Sequence, residues 1–448
     1  MVSHVDILLE GDAAIRVKEL EKGSVDLLVT DAPYGLQFAG KDWDKAVPSV
    51  EVWKGCEQAL KPGAFAFIMS APRLDLLSQM ALRLQQAHFQ VDFTPIFWTF
   101  SSGMPKAQSV SKGVDKRLGA KRRVVGIKPG YEEFVNRQTT GDTVFKGALE
   151  SFDRLWMHDP EARKRYHLET AAATGQARAL EGAYAGFNPK PAVEVIIVAM
   201  KRLSEKTYTL QALKNQKGVT WLGDGRIPFA SAQDVEAAEA KNKHADFSSG
   251  PRENRFYGVD RRPRSEQGNY DAARGRFPAN LLVNDDVMNT GRPHGGHGHF
   301  SMRGAPPAKE VYDGGWRSFE READIRIDDA GSFSRYFDLD RWFMERVKRL
   351  PESVQRTFPF LVCPKASRRE RGEGRSVHPT IKPIKLLSYL ITIGSRPGDL
   401  VLDPFIGTGT AALAARMLGR HYIGIDIEPE YIKIAKARLA HPFQMRLK

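Results

Sequence analysis

The chain has 448 residues, 42% hydrophobic and 27% charged, so it is long enough for two or three domains and has the composition of a globular protein, not of a disordered, collagen-like or disulfide-framework one. Its 67 Lys and Arg against 54 Asp and Glu give a formal net charge of +13, which favours a polyanionic partner, nucleic acid foremost. No run approaches the roughly 20 apolar residues of a membrane span, the opening residues lack the flank, core and cleavage site of a signal peptide, and Cys56 and Cys363 are the only cysteines, so the expected setting is a reducing cytoplasm with no membrane partner.

In chain order, Val5–Leu9 reads as a buried strand that ends at Glu10-Gly-Asp12, and Ala13–Lys22 has helical spacing with Gly23 as its stop. Val25–Thr30 is a short apolar run closed by the turn Asp31-Ala-Pro-Tyr-Gly35 and predicts a second strand. Further strands are predicted at Ala64–Met69, over the longer β-rich run Phe89–Phe100, and at Ala192–Met200. Residues 101–190 and 205–375 are polar, glycine-bearing and rich in Arg and Lys, which predicts long loops with short elements, Asn280–Val283 being one strand among them. Near the other end, Asp399–Asp403 predicts a strand, Phe405-Ile-Gly-Thr-Gly-Thr410 a glycine turn, and Ala411–Leu418 a helix closed by Gly419. His421–Ile425 predicts a strand running into Asp426, and Glu430–Leu439 a helix with Pro429 in its first turn. Strands alternating with helices imply a parallel sheet covered on both faces.

Two of these strand ends carry chemistry. The turn from Asp403 through Thr410 lets backbone and a helix N-terminus approach a ligand closely, and Asp426 with Glu428 at the tip of the next strand suits ribose hydroxyls. By itself such a turn can also bind nothing, and its glycine spacing departs from the dinucleotide fingerprint, which disfavours NAD. Asp31-Ala32-Pro33-Tyr34 puts a carboxylate, a proline-shaped turn and an aromatic ring together. That set suits methylation of an exocyclic amine: the carboxylate and a backbone carbonyl accept the amine hydrogens, and the ring stacks on a base that has left the helix. Taken alone it is equally a strand-ending turn without chemistry.

Together these motifs resemble the DNA amino-methyltransferases, which make N6-methyladenine or N4-methylcytosine with S-adenosylmethionine. The family's catalytic motif, an Asp, Asn or Ser followed by Pro-Pro and an aromatic, matches Asp31, Ala32, Pro33 and Tyr34, with Ala32 in place of the first Pro. Its Phe-x-Gly-x-Gly cofactor motif matches Phe405-Ile-Gly407-Thr-Gly409, and His378-Pro-Thr380-Ile-Lys382-Pro resembles a third motif. The catalytic motif comes first and the cofactor motif last, which is the circularly permuted arrangement called the beta class. The resemblance implies an α/β S-adenosylmethionine-dependent methyltransferase fold: a Rossmann-like, mostly parallel seven-stranded sheet with a large inserted target-recognition region. It implies a catalytic half at 1–105, a basic insertion for DNA contact at 106–190, a sheet strand at 191–204, a target-recognition region at 205–375 and a cofactor-binding half at 376–448.

It also implies site roles. Asp12 would meet the cofactor's adenine, Phe405 would pack beside the cofactor, and Gly407 and Gly409, in the turn that Asp403 opens, would line its methionine end. Asp426 would hold the ribose, and Thr380 and Lys382 would sit near the amino-acid part. Asp at position 31 favours adenine in this family. The implied function is site-specific adenine-N6 methylation of double-stranded DNA after base flipping, in a restriction-modification or related setting, with a homodimer as a common assembly of the class. N4-cytosine methylation is the alternative, and a non-catalytic DNA-binding protein on a decayed methyltransferase fold is a third reading.

Weaker signals remain. Lys112–Lys128 and Lys365–Lys385 are basic runs, either solvated faces or phosphate contacts. Ser101–Lys106 could line the base pocket. His294–His299 reads as a plain glycine-rich loop, not a metal site, and Cys363 as a buried strand residue.

Overall fold

A computed structural model describes residues 6–36, 44–100, 107–128, 168–187, 189, 192–243, 275–284, 333–349 and 381–440. The strands are β1 (Ile7–Glu10), β2 (Val25–Thr30), β3 (Leu60–Ser70), β4 (Phe89–Gln90), β5 (Ile96–Thr99), β6 (Arg123–Ile127), β7 (Leu168–Ala171), β8 (Val193–Lys201), β9 (Leu281–Val283), β10 (Leu400–Asp403) and β11 (His421–Asp426). The helices are α1 (Ala13–Arg16), α2 (Val50–Ala59), α3 (Leu74–Gln86), α4 (Val110–Arg117), α5 (Gly175–Ala179), α6 (Tyr208–Asn215), α7 (Ala232–Lys243), α8 (Leu339–Val347), α9 (Ile384–Gly394), α10 (Thr410–Met417) and α11 (Pro429–Ala440). Among the described residues no helix is long and apolar enough to cross a membrane.

The sheet runs β1-β11-β10-β2-β3-β8-β5-β9, with β4 also on β8. Strands β1, β11, β10, β2 and β3 are parallel, while β8 is antiparallel to β3, β4 and β5. The mostly parallel α/β sheet expected from the sequence is thus present, with short β4 and β9 beyond the seven strands anticipated. Three sequence elements differ in extent, and the strand expected over 64–69 is the longer β3, Leu60–Ser70. The helix expected over 13–22 is the short α1 followed by a 3-10 turn at Val17–Glu19. The run Phe89–Phe100 is two strands, β4 and β5, with Pro95 between them, a residue that cannot donate to a ladder.

Period-two alternation builds two cores. In β3, Phe65, Phe67 and Met69 face one side with Leu386, Leu390 and Ile393 of α9, and Ala64, Ala66 and Ile68 face the other with Trp53 and Cys56 of α2. Every residue of α9 is buried, so it is a core helix, its one charge, Lys385, being paired with Asp340. The two ends of the chain build one sheet: β1 pairs with β11, and β2 lies beside β10. Away from the sheet, β6 and β7 form an antiparallel pair joined to α4 and α5 through Arg122. Its guanidinium reaches Asp115 at 2.9 Å, the Ser111 hydroxyl at 2.9 Å, the Thr170 carbonyl at 3.0 Å and Glu181 at 3.2 Å. The expectations for Ser101–Lys106, His294–His299, Cys363, residues 365–380 of the second basic run and Thr380 concern residues outside the described set.

Candidate active site

The chain leaves β10 toward β11 on one side, and leaves β2 toward β3 on the other. The crevice above the carboxyl ends of β10 and β2 is therefore the topological switch point of the sheet, where open α/β folds bind ligands. The expected cofactor and catalytic turns meet there. The hydroxyl of Thr30, last residue of β2, donates to Asp403, last residue of β10, at 2.6 Å. Asp403 also accepts from the Phe405 amide at 3.0 Å and is only 6% exposed. Burial pushes its carboxyl up to about 7, against the pull of these two donors.

The glycine turn follows. Asp426 at the tip of β11 accepts from the Gly407 amide at 2.7 Å and from the Glu428 amide at 2.9 Å, so this carboxylate fixes the turn while its remaining lone pairs can accept further donors. Burial pushes Asp426 up to about 6. The two glycines differ. Both have positive φ, +51° at Gly407 and +84° at Gly409. A Cβ on Gly409 would lie 2.8 Å from that of Ala435, so this glycine lets α11 pack close, whereas a Cβ on Gly407 would meet nothing within 4 Å and faces open space. Arg438 braces the turn from α11 through the Thr408 carbonyl at 2.6 Å and the Thr410 hydroxyl at 3.1 Å. Phe405 packs edge-on to Trp53, ring centroids 6.1 Å apart. Asp12 is exposed one strand further along the same edge, where its carboxylate caps α1 through the Ala14 amide at 2.8 Å. Ile427, beside Asp426, is 55% exposed and offers an apolar face at the same rim.

The turn after β2 is held from beneath. Buried Asp44 accepts the Tyr34 amide at 2.7 Å and the Gly35 amide at 2.9 Å, and Ala32 is packed into the α2-side core. Both oxygens of Asp31 have partners: the Tyr34 hydroxyl at 2.8 Å and the Lys382 ammonium at 2.9 Å. Lys382, expected at the cofactor's amino-acid part, thus has its charge on Asp31. A residue the sequence reading missed completes the group. Glu194 of β8 lies 3.0 Å from the Tyr34 hydroxyl and 3.3 Å from the Lys382 ammonium. Burial and the two carboxylates push the Tyr34 phenol well above its ordinary range. Burial works against the charge on Lys382, but Asp31 and Glu194 together raise its ammonium above the ordinary lysine range. The signal for Glu194 was there to read: it is the one charge inside the apolar run Ala192–Met200.

Residues 312–437, which hold this turn, β10 and β11, match the family model for DNA methylase. Over that stretch the chain is similar to the N6/N4 DNA methylases. It is 47% identical over 78 residues to the type II methyltransferase M.HinfI of Haemophilus influenzae, covering 17% of this chain and 22% of that one. It is 53% identical over 62 residues to the type II methyltransferase M2.DpnII of Streptococcus pneumoniae, covering 14% and 23%. The chain therefore spans less than a quarter of either relative within these matches. Among solved structures, M1.HpyAVI in complex with SAM aligns at a TM-score of 0.36 and 14% identity over 96% of this chain and 98% of that one. The cytosine-N4-specific PvuII DNA methyltransferase aligns at 0.37 and 13%, over 96% and 85%.

Proposed function

We propose that the protein is a DNA methyltransferase that uses S-adenosylmethionine to methylate the exocyclic N6 of adenine in double-stranded DNA. One observation carries this reading: Asp31 stands at the carboxyl end of β2, beside the glycine turn of β10, at the switch point of the sheet. The residues fit the cofactor. Gly407 leaves open space where a side chain would be, Asp426 keeps lone pairs for ribose hydroxyls, and Asp12 and Ile427 flank it for a purine.

S-adenosylmethionine held there would supply a methyl group on a cationic sulfur, with the thioether as the leaving group to the target nitrogen. The Asp31 carboxylate accepts one amine hydrogen and so aims that nitrogen's lone pair. The amine sheds one proton, to Asp31 or to water, so no strong base is required. Tyr34 stacks its ring on the extruded base. The gain is positional and electrostatic. Adenine is favoured over cytosine because Asp fills position 31 of the family motif. On the β6–β7 unit, Lys112, Lys116, Arg117, Lys121 and Arg123 are all exposed, which supports a role in neutralising DNA phosphates.

The test is mass spectrometry of nucleosides from DNA of cells that express the chain, beside Asp31→Ala. N6-methyladenine that is lost in the variant is the expected result, with cofactor affinity kept within about twofold because Asp31 lies off the ribose site. N4-methylcytosine would move the assignment to cytosine, and full activity in Asp31→Ala would sink it.

A further inference from the structure

The proposed reaction needs Asp31 to accept a hydrogen from a neutral amine, yet its oxygens are engaged by the Tyr34 hydroxyl and the Lys382 ammonium. A charge-assisted hydrogen bond from an ammonium is about twice as strong as one from a neutral amine, so the amine will not displace Lys382 unaided. Glu194 changes that balance. Its carboxylate lies 3.3 Å from the same ammonium and 3.0 Å from the same hydroxyl. A tyrosine hydroxyl has one proton to give, so Tyr34 serves Asp31 or Glu194 but not both at once.

We propose that Glu194 is a positioning residue that takes the Lys382 ammonium and the Tyr34 hydroxyl away from Asp31 as the target amine arrives. The inference rests on the methyltransferase reading above. Three features of the fold place Glu194 for this task. Strand β8 is antiparallel, so its first residues, not its last, reach the edge that carries Asp31. The register sets Glu194 opposite Trp98 of β5, and Val195 opposite Ser70 of β3. The alternation of β8 gives Glu194 the face of Ile196, Val198 and Met200, which lies in the same core as α9, and Lys382 immediately precedes that helix. The Lys382 side chain is 8% exposed, so water is a poor substitute acceptor and a second carboxylate is required for the exchange. The exchange moves no charge out of the group. It leaves one carboxylate paired with Lys382 and the other, Asp31, open to the amine. The same tie holds the Tyr34 ring, which Lys382 also approaches at 5.2 Å from its centroid.

The experiment uses the full chain, tritium-labelled S-adenosylmethionine and genomic DNA from a bacterial strain without DNA methylases. Four proteins are compared: wild type, Glu194→Gln, Glu194→Asp, and Glu194→Gln combined with Lys382→Met. In Glu194→Gln the lysine has only Asp31 for a charged acceptor, and the saturated rate of methyl transfer should fall about tenfold to a hundredfold. Its affinity for S-adenosylmethionine by calorimetry should stay at the wild-type value, because the glycine turn is untouched. Glu194→Asp should recover most of the rate. The double variant should be faster than Glu194→Gln alone, since no cation is left to hold Asp31, an outcome that a merely structural role for Glu194 does not produce. Wild-type rate in Glu194→Gln overturns the inference, as does a double variant no faster than the single one. A wild type that transfers no methyl group overturns the proposed function and this inference with it, and so differs from a failure of the inference alone.

Discussion

Strands β2 and β10 start and finish among aspartates, and the two edges treat them oppositely. Where they start, Asp26 accepts from Lys61 at 2.7 Å, from Lys217 at 2.8 Å and from the Leu400 amide at 3.0 Å, and Lys217 also reaches Asp399 at 2.9 Å. Burial pushes Asp26 up, but these donors outweigh it and hold the carboxyl below its ordinary value. Where the strands finish, Asp403 has a hydroxyl and an amide and no described lysine or arginine within ion-pair distance, and burial carries it to about 7. Asp426 follows to about 6. One edge is closed by matched charge and ties N-terminal β2 to C-terminal β10. At the other, Asp31 holds Lys382, but Asp403 and Asp426 have no described cation within ion-pair distance, a state that costs stability and leaves these two ready for a cationic ligand.

The contrast can be broken at the closed edge first. Asp26→Ala leaves Lys217, itself only 6% exposed, without its shorter acid contact, and should lower stability by about 3 kcal/mol in urea unfolding. Loss of less than about 1 kcal/mol would mean that Asp399 alone satisfies the lysine, as an exposed pair would.

At the open edge, Asp426 should make cofactor affinity depend on pH. On the proposed reading its carboxylate is the form that would accept ribose hydroxyls, so affinity should hold above about 6 and weaken as pH falls through that value. Calorimetry should find the dissociation constant about fivefold to tenfold higher at pH 5 than at pH 7, with Asp426→Asn weak and flat across the range. The smallest effect belongs to Asp403. Its folded pKa lies above the unfolded value, so its contribution to stability is full below about 4 and is lost as pH rises through about 7. Asp403→Asn removes that charge and keeps an oxygen for Thr30 and Phe405, so in cofactor-free protein it should melt about 2–4 °C higher at pH 8 and level with wild type at about pH 4. An Asp403→Asn protein less stable at pH 8 would show that the two edges are not opposites.

Much of the site was legible because its motifs are local. Asp31, Asp403 and Asp426 each sit at the end of a short apolar run, and a parallel sheet brings such ends to one edge whatever the order of the strands. The Gly407 and Gly409 pair was legible as a turn, but its division of labour was not: only the approach of Ala435 tells which glycine serves packing and which faces open space. Glu194 was hidden for a different reason. It is 160 positions from Tyr34, and a lone acid in an apolar strand has no chemical meaning until its neighbours are known.

The sequence by itself determined the sheet-forming runs, the two turns and their permuted order, since each is written within a few consecutive residues whose sterics and hydrogen bonds are local. The tertiary structure alone decided which charges meet. The reversal of β8 delivers Glu194 to the edge where β2 delivers Asp31, and the approach to α9 sets Lys382 between them, so the pairing of two acids with one lysine follows from strand direction and helix placement across 351 positions of chain.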